Sequence, residues 1–111
     1  MQTFSRRNTP EMGVEELDDL LRSGKVRVLD VREDWEYRRG RVPGAISLPL
    51  GRLVAQAAGL AKDKPYAVIC ESGTRSLSAT DYLLSQGFEG AASVRGGTGA
   101  WARAGRPIEK D

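Results

Sequence analysis

In the stretch Cys70-Glu71-Ser72-Gly73-Thr74-Arg75-Ser76, residue type and spacing both suit a thiolate acting beside an anion. Cys70 is the sole cysteine of the chain. It follows Tyr66–Ile69, a short apolar run ending in two β-branched residues, which predicts a buried strand. The residues after it are small and polar with one glycine, which predicts a tight loop, and Ser76–Leu84 predicts a helix. A thiol at that junction faces a loop whose backbone N–H groups can all turn inward, with a helix N-terminus just beyond. Such a setting holds an anion, and it lowers a thiol pKa from about 8.5 to below neutrality. The expectation is a thiolate at neutral pH, its sulfur facing the loop amides and not sealed inside the core.

The neighbours of Cys70 each admit a chemical and a plain role. Gly73 suits a backbone that takes φ > 0 or approaches a ligand closely, and equally an ordinary turn. Arg75, five positions on, can lay its guanidinium over the same anion if the loop curls back; otherwise it is an exposed first-turn arginine. The hydroxyls of Ser72, Thr74 and Ser76 can donate to a ligand or cap the next helix. Glu71 repels an anion unless its carboxylate points to solvent. Arg95, before Gly96-Gly97, ends another strand and either points toward the same mouth or lies exposed. Asp30 and Arg32 flank the end of a core strand, where charges need partners; structural ion pairing is expected, Arg32 with Glu36. Trp35 and Trp101 are expected in core or rim packing, and Arg38–Arg41 as a solvated face.

Composition removes several alternatives. The chain has no histidine, so neither Ser-His-Asp nor Cys-His catalysis nor a His-ligated metal site is available. One cysteine cannot form an internal disulfide, which points to a reducing, cytoplasmic compartment. Charge is nearly balanced, 17 basic against 15 acidic side chains, so no nucleic-acid partner is indicated. The segment Met1–Asn8 has no apolar stretch behind its arginines and does not resemble a signal peptide, and no apolar run reaches membrane-spanning length. With 111 residues the chain is expected to form one domain over 1–111, residues 1–8 being a loose segment or a short edge strand at Gln2–Phe4.

The elements that must position Cys70 follow from hydrophobic spacing. A first helix starts either at Thr9-Pro10-Glu11, an N-cap followed by proline, or at Gly13-Val14-Glu15-Glu16, with acids in the first turn; Leu17, Leu20 and Leu21 form its stripe. Strands are expected at Lys25–Val31, Ala45–Leu48, Tyr66–Ile69 and Ala91–Val94. Between them come helices at Asp34–Arg39, at Gly51–Gly59 with Leu53, Val54 and Ala57 inward, at Ser76–Leu84, and at Thr98–Ala104. Alternation of short apolar strands with helices predicts an α/β domain with a mainly parallel sheet covered on both faces. Ligands of such sheets bind beyond the C-terminal strand ends, where Cys70 lies.

Four stretches, in order over about residues 14–108, resemble the single-domain rhodanese (thiosulfate sulfurtransferase-like) family. Leu29-Asp30-Val31-Arg32-Glu33 resembles its strand-end acid and arginine. Trp35-Glu36-Tyr37 with Gly40-Arg41-Val42-Pro43-Gly44-Ala45-Ile46 resembles its E-[YF]-x-x-G-H-I-P-G-A segment, with Arg41 where histidine is common. Cys70–Ser76 resembles its persulfide-forming loop, and Gly96-Gly97-Thr98-Gly99-Ala100-Trp101 its closing G-G-x-x-A-W. The resemblance implies a three-layer α/β/α fold with a roughly five-stranded central sheet. It also implies sulfur transfer through a Cys70 persulfide, from thiosulfate or a similar donor to cyanide, a thiol or a protein acceptor, with no metal or organic cofactor. Cys70 and Arg75 would then be catalytic, with Glu71, Ser72, Gly73, Thr74, Ser76 and Arg95 around the donor and Asp30 and Arg32 supporting them. A carrier or protein-interaction module is the alternative within the same fold. Related phosphatases use C-x5-R; the spacing here is C-x4-R, a shorter cradle that suits sulfur better than a tetrahedral phosphate.

Overall fold

The structure, a computed structural model, describes residues 3–4 and 8–111. Strands β1 (Thr3–Phe4) and β2 (Pro10–Met12) precede helix α1 (Val14–Arg22). They are followed by β3 (Arg27–Asp30), α2 (Asp34–Arg39), β4 (Ile46–Ser47) and α3 (Leu50–Gln56), the last running into a 3₁₀ turn at Ala57–Gly59. Then come β5 (Tyr66–Ile69), α4 (Arg75–Ser85), β6 (Ala92–Val94) and α5 (Gly97–Arg103). The sheet order is β1-β2-β6-β5-β3-β4. Five strands are parallel, and β1 pairs antiparallel with β2 at the edge. The expected three-layer arrangement is therefore present. Among the described residues no helix is long and apolar enough to cross a membrane.

Period-2 alternation in β3 and β5 divides the core in two. Val28, Ala67 and Ile69 face α1 and α5, where Leu17 and Trp101 are buried with them. Leu29, Val31, Tyr66, Val68 and Cys70 face α3 and α4, against Leu53, Ala79 and Leu83. Cys70 thus continues the α3/α4 face one residue past the end of β5. The register Leu29↔Val68 and Asp30↔Ile69 keeps both strands aligned to their ends. The chain passes from β3 outward to β4 and then returns to β5 on the other side of β3. That reversal is the switch point at which α/β sheets open a crevice, and Cys70 stands there.

One open alternative is decided here and two expectations are corrected. Of the two helix starts, α1 takes the second, with Gly13 as N-cap and Glu15 and Glu16 in its first turn. Thr9-Pro10 belongs instead to the entry of β2, where proline at the first strand position sacrifices no interior ladder bond. Val54 is not inward. It is 71% exposed, because α3 buries Leu53 and one further residue turns the side chain about 100° off the core face. Arg41 is not part of a solvated face either. It stacks on the Tyr37 ring and pairs with Glu109 at 3.3 Å and Asp111 at 2.8 Å, tying the segment after α5 across the start of the 40–45 turn.

Candidate active site

Helix α4 begins at Arg75 with no side-chain cap from Thr74. Its orphan N–H groups therefore need another acceptor, and the Cys70 sulfur supplies it. The amides of Gly73 and Ser76 donate to Sγ at 3.1 and 3.4 Å. Gly73 reaches this position with φ +99°, and a Cβ on it would press on the Gly96 amide at 3.1 Å. Both properties make glycine the residue that fits.

The loop is aimed from behind by the first turn of α5. Thr98 N–H donates to the Cys70 carbonyl at 2.8 Å and Gly99 N–H to the Glu71 carbonyl at 3.0 Å. In a trans peptide the N–H lies opposite the C=O, so pinning the Glu71 carbonyl to α5 turns the Ser72 N–H the other way, toward the sulfur. Gly97 makes the contact possible. With φ +57°, a Cβ there would run into the Cys70 carbonyl oxygen and stand 2.7 Å from the Glu71 carbonyl carbon. Gly97→Ala should therefore destabilise the fold by about 1–3 kcal/mol, since backbone cannot yield as a side chain does. It should also raise the pH midpoint of Cys70 alkylation, by drawing the loop amides off the sulfur. Urea unfolding and iodoacetamide kinetics on the same variant check both.

Beneath the sulfur, the Ser76 hydroxyl lies 3.4 Å from Sγ and 2.7 Å from the Ser93 hydroxyl of β6. Burial pushes the Cys70 thiol up; the Ser76 hydroxyl and the amides of Ser76, Gly73 and Ser72 outweigh it, leaving the thiol below its ordinary range. Once the thiol is ionised, Ser76 donates to sulfur and Ser93 donates to Ser76. Folded Cys70 therefore binds its proton more weakly than unfolded Cys70. Its contribution to stability is present above the unfolded thiol pKa and is lost as pH falls through the folded value. Ser76→Ala should move the alkylation midpoint upward relative to wild type, followed as thiolate absorbance or iodoacetamide rate against pH.

Cys70 has no solvent-exposed surface. Its amides face it as expected, yet the loop crest covers it: Glu71, Ser72 and Thr74 are exposed while the sulfur below them is not. The Arg75 guanidinium is engaged by another element. It forms a two-pronged pair with Glu36 of α2, at 2.7 and 2.9 Å. The Glu36 hydrogen bonds raise the Arg75 pKa, and those from Arg75 lower the carboxyl of Glu36. Arg32 does not pair with Glu36 as expected, because Glu36 is taken by Arg75. Arg32 instead grips Asp30 at 2.7 Å, donates to the Gly40 carbonyl at 2.7 Å, and reaches Glu71 at 3.3 Å. Burial pushes Arg32 down; Asp30, Glu71 and Glu36 overcome it and hold the guanidinium charged. Arg95 lies beside Glu11, 3.8 Å away, outside the sulfur's ring of donors. The hydroxyls of Ser72 and Thr74 lie 3.5 Å apart on the exposed crest, clear of the sulfur. Ser93 escaped the sequence reading; its signal was a polar residue buried inside the apolar strand Ala92–Val94.

The profile of the rhodanese-like domain matches residues 13–104. The chain belongs to the rhodanese-like domain family. A protein named sulfurtransferase from Allochromatium vinosum is 37% identical over 83 residues, covering 75% of this chain and 78% of that one. The crystal structure of a rhodanese-related protein from Thermoplasma volcanium superposes with a TM-score of 0.83 at 33% identity, covering 91% of this chain and 98% of that one. That of a thiosulfate sulfurtransferase from Pseudomonas aeruginosa gives 0.85 at 37% identity; 94% of this chain is covered, but only 21% of the larger protein.

Proposed function

We propose that this rhodanese-like domain is a sulfurtransferase that carries a sulfane sulfur on Cys70, working in a reducing compartment such as the cytoplasm. The observation that carries the proposal is the convergence of the Gly73 and Ser76 amides on Sγ, because it stabilises a thiolate without metal or histidine. The thiolate attacks the outer sulfur of thiosulfate. The S–S bond breaks, its electron pair leaves with sulfite, and Cys70 becomes a persulfide. The same amides, each worth about 1.5–3 kcal/mol as a charge-assisted bond, then hold the persulfide anion. A nucleophile, cyanide or a thiol, takes the outer sulfur and returns the thiolate, so one difficult transfer is divided into two.

Arg75 and Glu71 act at one remove in this scheme. Arg75 joins α4 to α2 through Glu36 and contributes its charge to the loop from there. That pairing commits two of its five N–H donors to Glu36. Glu71 places an exposed carboxylate at the rim, 3.3 Å from the Arg32 guanidinium. Glu71→Ala should raise turnover with anionic donors about two- to fivefold by removing like-charge repulsion at an exposed position. Thiosulfate titrations of kcat/KM check this.

Burial of Cys70 favours a second reading, in which the domain receives its sulfur from a protein that opens the loop and has little turnover with free thiosulfate. A thiosulfate-plus-cyanide assay for thiocyanate separates the two. Sustained turnover supports the enzyme. A loaded Cys70 without turnover supports the carrier.

A further inference from the structure

Ser93 places a hydroxyl in the middle of the apolar strand β6, fully buried, and the chemistry above gives it no task of its own. A buried hydroxyl needs a partner, and among the described residues Ser93 Oγ has one, the Ser76 Oγ at 2.7 Å. Ser76 is also fully buried, and the Cys70 Sγ lies on its other side at 3.4 Å. Ser93 Oγ, Ser76 Oγ and Sγ thus form a chain with two links, and each hydroxyl has one proton to give. When Sγ bears charge it can only accept. Ser76 then turns its proton to sulfur, and Ser93 donates to the Ser76 oxygen. Both protons are used and both point toward the sulfur, each link polarising the next. Without a donor at position 93 that polarisation is lost. The Ser76 proton is then free to turn to the carbonyls three and four residues back, an ordinary option for a serine in a helix.

The charge on Sγ itself comes and goes during sulfur transfer. The resting thiolate holds it. Loading draws it off: Sγ forms the S–S bond, sulfite leaves with its electron pair, and the outer sulfur carries the negative charge. In discharge, cyanide forms a C–S bond to the outer sulfur, the S–S bond breaks, and its electron pair returns to Sγ; no proton moves. A donor held on Sγ assists discharge, where charge arrives, and resists loading, where charge departs. Thiol exchange obeys the same rule, since the less basic sulfur leaves faster and attacks more weakly. Resting on the sulfur-transfer reading, we infer that Ser93 is a positioning residue: it keeps the Ser76 hydroxyl aimed at Sγ, which speeds discharge of the persulfide and slows its formation. Among the described residues no charged side chain donates to Sγ. Arg75 of α4 pairs with Glu36, Arg32 after β3 with Asp30 and Glu71, and Arg52 of α3 with Asp34. Glu11, beside Ser93 in the β2–β6 register, lies 3.8 Å from Arg95. Asp81 of α4 accepts from Thr9 at 2.6 Å, and Arg103 of α5 is exposed. Substitution at 93 leaves all of these groups in place.

The test compares Ser93→Thr with Ser93→Val, which exchange a hydroxyl for a methyl at nearly equal volume and so disturb packing alike. Ser93→Ala adds no bulk and replaces the pair if the larger side chains do not fold. The pH midpoint of Cys70 alkylation by iodoacetamide should rise by about 0.5 unit in Ser93→Val and Ser93→Ala, and return toward wild type in Ser93→Thr. In a Ser76→Ala background the same substitutions should leave the midpoint within about 0.1 unit, because Ser93 has no other route to the sulfur. Half-reactions are then followed above all the midpoints, so that the thiolate is fully formed in every protein. Loading by thiosulfate, read as intact mass in a single turnover, should be as fast as wild type or faster in Ser93→Val. Release of thiocyanate from loaded protein by cyanide should slow about two- to threefold. Equal midpoints for Ser93→Thr and Ser93→Val overturn the inference. So does a Ser93 effect undiminished without the Ser76 hydroxyl, and so do loading and discharge slowed alike. If Cys70 loads in none of the proteins, the sulfur-transfer reading fails, and the alkylation midpoints still decide whether Ser93 positions Ser76.

Discussion

Cys70→Ser will lower thiosulfate-to-cyanide turnover by at least about a thousandfold, the scale on which removing a covalent nucleophile acts. The fold should survive it. The Gly73 and Ser76 amides that donate to Sγ find a smaller acceptor in the serine hydroxyl, so no buried donor loses its partner outright. The chemistry does not survive, because a hydroxyl is not ionised near neutrality and oxygen gives no stable counterpart of the persulfide. Thiocyanate formation is the activity readout, and urea unfolding shows that the variant is folded. No second cysteine exists to take over the reaction. Activity within tenfold of wild type would contradict the proposed mechanism.

Arg32→Ala should be the most damaging substitution for stability, by about 3–5 kcal/mol, the cost of stranding one partner of a buried pair. Asp30 is 0% and Arg32 3% exposed. The guanidinium satisfies Asp30 through three hydrogen bonds, and its loss leaves that carboxylate with only the Arg32 backbone amide among the bonds the two residues share. It also frees the Gly40 carbonyl and the Glu71 carboxylate, which Arg32 joins across the site. Arg32→Met combined with Asp30→Leu should cost less than Arg32→Ala alone, because no uncompensated charge remains. Arg27→Ala, which removes an exposed ion pair with Asp63, serves as the surface control and should have little effect. Urea midpoints of the four proteins give the comparison. Equal losses for Arg32→Ala and Arg27→Ala would show that the buried pair carries no special weight.

What could be read from residues alone was set by how local the determinants are. The strand before Cys70, the turn at Gly73 and the helix after it depend on neighbours in sequence, so period and glycine placement suffice. The partners of Arg75 and Arg32 are not local. Glu36 lies 39 positions from Arg75, and Arg32 finds Asp30 two residues away and Glu71 39 away. A long charged side chain chooses among acceptors that only tertiary packing brings near, so spacing in sequence does not predict the pairs. The same limit hid the support of the loop by Thr98 and Gly99, and the clamp of Arg41 on Glu109 and Asp111. At β2 the obstacle was ambiguity: threonine before proline suits a helix start and a strand entry equally, and pairing with β6 decides it.

Intact-mass measurement after brief exposure to thiosulfate tests most directly whether Cys70 accepts sulfur. Sulfur transfer through Cys70 predicts a gain of one sulfur atom per chain, lost on adding cyanide and absent in Cys70→Ser. An unchanged mass at every pH above the Cys70 transition would contradict it.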